Sequence, residues 1–149
     1  MKTTTIFKIS LPFLLLTLAQ VFHSSEEMVY RLYDWQPAGG LPKRLLLFRE
    51  RLAIHGSTFA LMNLFFIVLL CLLCLQVYRQ KTRALELAVA AACIELLNGK
   101  SHIAVAAWSG RYLPGCVTAF LLIAFATAFL LGYFRNRGRE ILPESSARD

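Results

Sequence analysis

His23, Glu26 and Glu27 are the first residues in this chain whose types and spacing suit chemistry. On a helix, a histidine followed three and four residues later by glutamates projects all three from one face. Two carboxylates so close in a poorly solvated site cannot both ionise cheaply, so a proton or a cation must neutralise them. Imidazole and carboxylate at this spacing suit a divalent metal, zinc or iron. They equally suit acid–base catalysis, with a glutamate activating water and the histidine carrying a proton. The plainer reading is a helix end at the water interface, where His, Ser and Glu are simply solvated.

A second group is Asn98 and His102, four residues apart and so on one helical face. Glu95 lies in line with His102, two turns earlier. Asn-Gly-Lys-Ser-His inside an apolar segment is costly to expose to lipid. Gly99 and Ser101 permit close helix packing, so the plainer reading is an interhelical hydrogen-bond clamp. Lys100 either snorkels or pairs with Glu95. Tyr112-Leu-Pro-Gly115 reads as a turn, with Pro114 setting φ and Gly115 supplying the positive φ of a type II turn. The Tyr112 hydroxyl is placed to sit at a cavity mouth and bond a site carboxylate, or to join an aromatic belt.

The elements that must hold these groups are apolar. The chain has 149 residues, 57% of them hydrophobic, and a mean hydropathy of +0.56. The apolar residues come in long runs, the transmembrane signature. Four spans are expected, at about 5–28, 57–78, 84–108 and 116–134, in one domain covering 1–149, with 135–149 as a polar tail. Between Lys8 and His23 the first run is short for a span, so a signal peptide cleaved after Ala19 is the rival there. Residues 29–41 read as an interfacial loop. Leu41, Leu45, Phe48 and Leu52 share a stripe, which suggests a short interfacial amphipathic helix between spans one and two.

The net charge of +7 comes mostly from Lys and Arg flanking the runs, so it reads as topology and not as nucleic-acid binding. With four spans, nine basic residues fall on the side of the N terminus, the 79–83 loop and the tail. Six fall on the other side, which favours both termini in the cytoplasm and a plasma (inner) membrane location. Cys71-Leu-Leu-Cys74 has CxxC spacing but no βαβ context, so the cysteines read as small packing residues.

Up-and-down connectivity brings the end of span one, the start of span two, the later part of span three and the start of span four to one membrane face. His23, Glu26, Glu27, His55, Asn98, His102 and Tyr112 then converge, as ligands do in bundle metal sites. The leading expectation is an all-α, four-helix integral membrane enzyme acting hydrolytically on a lipid or other amphiphile. Its metal ligands come from His23, Glu26, Glu27 and His102, Asn98 orients water or an oxyanion, and the protein forms a homo-oligomer if one bundle is not enough. A proton or cation conduit and an accessory membrane subunit are the alternatives.

His23-Ser-Ser-Glu26-Glu27, Asn98-Gly-Lys-Ser-His102 and Tyr112-Leu-Pro-Gly115 resemble the HXXEE, NXXXH and YXPG motifs of the HXXEE-domain family, in that family's order. The resemblance runs from about residue 15 to 130. It implies a small integral membrane protein and no particular activity. Glu26-Glu27-x-x-x-Arg31 also resembles the EExxxR motif of CAAX-type prenyl proteases and their bacteriocin-processing relatives, which are intramembrane Glu/His hydrolases. Their second motif has Phe four residues before its histidine, where this chain has Asn98.

Overall fold

The computed structural model describes residues 3–34, 56–79 and 81–141. The described chain is all helical: α1 (Thr3–Val29), a 3-10 turn (Leu32–Asp34), α2 (Gly56–Tyr78), α3 (Thr82–Ser109) and α4 (Cys116–Ile141). His55 and the expected amphipathic helix at 41–52 lie outside the described residues. Each helix covers one of the expected apolar runs, and α4 continues past the expected end at 134 to Ile141. Arg135 to Ile141 contains no proline, so polar composition alone does not stop the helix. α1 is continuous through Thr17–Ala19.

The helix ends follow backbone rules. α3 stops at Gly110, whose φ of 61° is the left-handed conformation that closes a helix. α1 stops before Arg31, which takes a positive φ of 55° and pairs with Asp34 at 2.6 Å on the surface. α4 is launched from the expected type II turn. The Cys116 N–H donates to the Leu113 carbonyl at 2.9 Å, and Gly115 has φ 90°.

α1 packs against α2 and α4, and α3 against α2 and α4, with little contact across the diagonals. Antiparallel neighbours follow from the pairs that meet: His23 with Thr118, and Phe13 with Phe129, whose ring centroids are 5.0 Å apart. The buried stripe of α3 runs Ala84, Ala88, Ala92, Glu95, Gly99, His102, at steps of three and four. Small residues let α4 approach closely. A Cβ on Gly99 would lie 2.9 Å from both the Ala119 carbonyl oxygen and Ile123 Cγ1.

The core has two halves. Phe13, Leu16, Leu70, Val77, Ala84, Ala88 and Phe129 fill the half nearer the start of α1. Gln20, His23, Ser24, Glu27, Glu95 and His102 are buried in the other. The outer faces are apolar: Leu61, Phe65 and Leu72 on α2 and Val117, Phe120 and Leu131 on α4 are exposed. α2 and the Cys116–Gly138 part of α4 are long and apolar enough to cross a membrane. α1 and α3 carry the buried polar residues instead. The four cysteines are free thiols, and Cys71 and Cys93 face outward, so these two do not fill the bundle interior.

Candidate functional site

α1 presents His23 and Glu27 one turn apart toward α3, and α3 presents His102. Glu27 Oε1 lies 3.1 Å from His102 Nε2 and 3.4 Å from His23 Nε2. The two imidazoles meet edge to face, with centroids 4.6 Å apart. All three side chains are buried, and their donor atoms lie within 4.8 Å of one another. Four donors in a tetrahedron around zinc at ~2.0–2.1 Å would be about 3.3–3.4 Å apart. The His23–Glu27 edge of 3.4 Å has that spacing, and the His102–Glu27 edge of 3.1 Å is shorter. Two histidines and one carboxylate are also the facial set of non-haem iron sites.

Gly115 makes this approach possible. A Cβ there would stand 2.7 Å from His23 Cε1 and 2.8 Å from His102 Cε1 and Nδ1. The glycine that turns the chain into α4 therefore also floors the two rings. His102 Nδ1 is buried there without a hydrogen-bond partner among the described residues.

Glu26 does not join the cluster. Successive helical residues point about 100° apart, so Glu26 faces α4 while Glu27 faces α3. Its Oε2 accepts from the Thr118 N–H at 2.9 Å and the Thr118 hydroxyl at 2.6 Å. Its Oε1 accepts from the Val117 N–H at 3.3 Å and from the Tyr112 hydroxyl. A carboxylate here satisfies the free N–H groups of the first turn of α4 and complements the helix dipole. The Tyr112 hydroxyl therefore bonds a carboxylate, but that of Glu26, outside the cluster. Partial burial, then the hydrogen bond and charge of Glu26, raise the Tyr112 phenol above its usual range.

Thr118 links the two glutamates' surroundings. Its hydroxyl has one proton, which goes to the Glu26 carboxylate, an acceptor only; a longer contact of 3.3 Å runs to the Gly115 carbonyl. Oγ1 must then accept from His23 Nδ1–H, 3.0 Å away. Neutral His23 therefore turns its lone-pair nitrogen, Nε2, toward Glu27. Asn98 Nδ2 donates to that nitrogen at a long 3.3 Å. Metal-binding histidines are held in the same way, by an outer group on the second ring nitrogen.

A cavity of about 410 Å³ opens beside the cluster, between α1, α2 and α3. Gln20, Glu27, Asn63 and Asn98 line one part, and Phe59, Met62, Phe65 and Phe66 the other. Of the expected residues, His23, Glu27, Asn98 and His102 come together, while Glu26 and Tyr112 form an adjoining latch on α4. Sequence reasoning passed over Thr118 and Gln20. Gln20 carries a signal: His23 and Ser24 follow it by three and four residues, and Glu27 follows those two by four and three. Thr118 is marked only by being a hydroxyl just after the Pro-Gly turn. The Glu-Glu-x-x-x-Arg pattern does not act as a unit, because its three charged residues go to three different sets of partners.

Neither a curated protein nor a solved structure matches this chain. A family described as "Protein of unknown function with HXXEE motif" matches residues 14–130. With all three motifs gathered at one end of the bundle, the chain belongs to that HXXEE family.

Proposed function

We propose that this protein is a four-span integral membrane enzyme that binds a divalent metal, zinc or iron, through His23, Glu27 and His102 and hydrolyses a lipid or other amphiphile. The observation that carries the reading is the cradle itself. Glu27 Oε1 stands 3.4 Å from His23 Nε2 and 3.1 Å from His102 Nε2 with all three side chains buried, a set of donor atoms that could hold a metal ion. A buried carboxylate calls for a cation.

A metal held there would supply Lewis acidity toward a carbonyl and acidify a water. The chain's own residues do the rest. Thr118 and Glu26 fix the His23 ring. The long Asn98–His23 bond is the one that yields, freeing an amide N–H to hydrogen-bond a developing oxyanion. The cavity suits an amphiphile, with Phe59, Met62, Phe65 and Phe66 taking an acyl chain and Glu27 and Asn98 meeting the polar group. In this reading the substrate enters laterally from the lipid. In this reading α1 and α3 also cross the membrane, both termini are cytoplasmic in a plasma (inner) membrane, and the outer apolar faces meet lipid or a second copy.

A proton or cation conduit fits less well. Beyond the polar half, Phe13, Leu16, Leu70, Val77 and Phe129 are fully or almost fully buried, and among the described residues that half is mainly apolar, with Ser10 and Thr17 as its buried hydroxyls. The test is E27Q in detergent-purified protein, with bound metal measured by elemental analysis and turnover measured on a panel of lipid esters and amides. Loss of both is expected. Unchanged metal content and turnover would sink the proposal.

A further inference from the structure

A line of hydrogen bonds runs from α2 through α1 to α3, beside the centre but outside the ligand set. Asn63 Nδ2 donates to the Phe59 carbonyl at 3.2 Å. The Ser24 hydroxyl donates to Asn63 Oδ1 at 2.7 Å. Gln20 Nε2 donates to Ser24 Oγ at 3.0 Å. The far side of the Gln20 amide meets the Glu95 carboxyl, at 2.8 Å from Oε2 and 3.2 Å from Oε1. Glu95 is fully buried, and no cation pairs with it among the described residues.

The direction of these bonds is forced. A backbone carbonyl only accepts, so Asn63 must turn its NH2 toward Phe59 and its oxygen toward Ser24. Ser24 has one proton and spends it on Asn63, so it can only accept from Gln20. The Gln20 NH2 is thereby fixed on Ser24, and its oxygen faces Glu95. Turning the Gln20 amide over would let it donate to an ionised Glu95. It would also set the Gln20 oxygen 3.0 Å from a Ser24 oxygen whose only proton is already given. Moving that proton only shifts the clash to Asn63 and Phe59. A line of amides and one hydroxyl with an acceptor at each end always keeps one acceptor–acceptor contact. All four links are satisfied when the Glu95 end is a donor.

We infer that Glu95 is a neutral carboxylic acid, held protonated by the Gln20–Ser24–Asn63 line, and serves as the proton-holding partner of the His23–Glu27–His102 centre. Its carboxyl O–H donates to the Gln20 side-chain oxygen. The carboxyl of the centre itself is Glu27, on the facing helix α1. Splitting two carboxyls of one site into one charged and one neutral group is how acid and base roles are divided at such sites. Glu95 does not line the cavity and Gln20 does, so Glu95 acts through Gln20 and is a positioning residue.

The test is infrared spectroscopy of the purified full-length protein in lipid nanodiscs at neutral pH. The C=O stretch of a protonated carboxylic acid is resolved from carboxylate bands and shifts in D2O. The wild-type protein shows this band, E27Q keeps it and E95Q loses it. S24A removes the hydroxyl that fixes Gln20, frees that amide to donate to the carboxylate, and weakens the band. Absence of the band in the wild type, or its survival in E95Q, would overturn the protonated state. An undiminished band in S24A would overturn the role of the line. None of these readouts needs metal or turnover, so they stand apart from the test of the hydrolase.

Discussion

Replacing Thr118 by valine removes one oxygen and leaves the shape of the side chain. That oxygen accepts from His23 Nδ1–H at 3.0 Å and donates to Glu26 Oε2 at 2.6 Å. Glu26 loses little in T118V, because it keeps the Tyr112 hydroxyl and the Val117 and Thr118 N–H groups. His23 loses more: its ring is fully buried, and Nδ1–H is left without an acceptor. Interhelical hydrogen bonds in membranes average ~0.6 and reach ~1.7 kcal/mol, so T118V costs about 1–2 kcal/mol of stability. The larger effect falls on metal binding. Removing the outer partner of a ligating histidine costs roughly 10–100-fold in affinity, about 1.4–2.7 kcal/mol. The assay is competition titration of zinc and ferrous iron into purified apo-protein, with thermal unfolding in detergent as the stability control. T118S keeps the hydroxyl and restores the affinity. An affinity in T118V equal to wild type would refute the assignment of Thr118 as the group that sets the His23 tautomer.

Two further outcomes follow from the same end of the bundle. G115A puts a methyl 2.7 Å from His23 and 2.8 Å from His102 at a φ of 90°; strain of this kind costs ~1–3 kcal/mol, so a lowered thermal midpoint and lost metal are expected together. The raised phenol of Tyr112 gives a stability contribution that is fully present below the ordinary tyrosine value of about 10. It is lost as pH climbs toward the higher folded value. The wild type should therefore lose stability above about pH 10, and thermal scans of Y112F should show a lower midpoint at neutral pH and a flatter alkaline decline.

The helices were legible because long apolar runs bounded by Pro-Gly, Gly110 and basic stretches admit few other structures. The convergence of His23, Asn98 and His102 was legible too, because up-and-down connectivity fixes which helix ends meet. The end of α4 was not, since polarity marks where lipid stops and not where a helix stops. Glu26 was misgrouped for a related reason. A three-residue step and a four-residue step from His23 straddle the helix line through it, and only the neighbouring helices decide which carboxylate goes where. Thr118 was invisible because its importance lies in a single proton shared between α1 and α4, and sequence spacing carries no trace of that. Glu95 stood out as a charged residue in an apolar segment, but nothing in its spacing showed that Gln20, Ser24 and Asn63 would line up beside it.

The adjacent glutamates explain why the site is built where it is. Two neighbouring carboxylates in one buried pocket would repel and would need two positive partners. The fold separates them by rotation. Glu27 turns toward the histidines, where its charge would serve the proposed metal. Glu26 turns to the N-terminus of α4, where helix N–H groups already want a negative charge. That arrangement needs α4 to begin beside the end of α1, which the Leu113–Cys116 turn achieves with Gly115 under both imidazoles. The three sequence motifs are therefore parts of one device. The first supplies the latch and, on the proposed reading, two ligands; the second supplies an amide and the facing ligand of that reading; the third starts the helix that receives the latch. A change to the turn should disturb the centre even though no residue of the turn carries a metal donor.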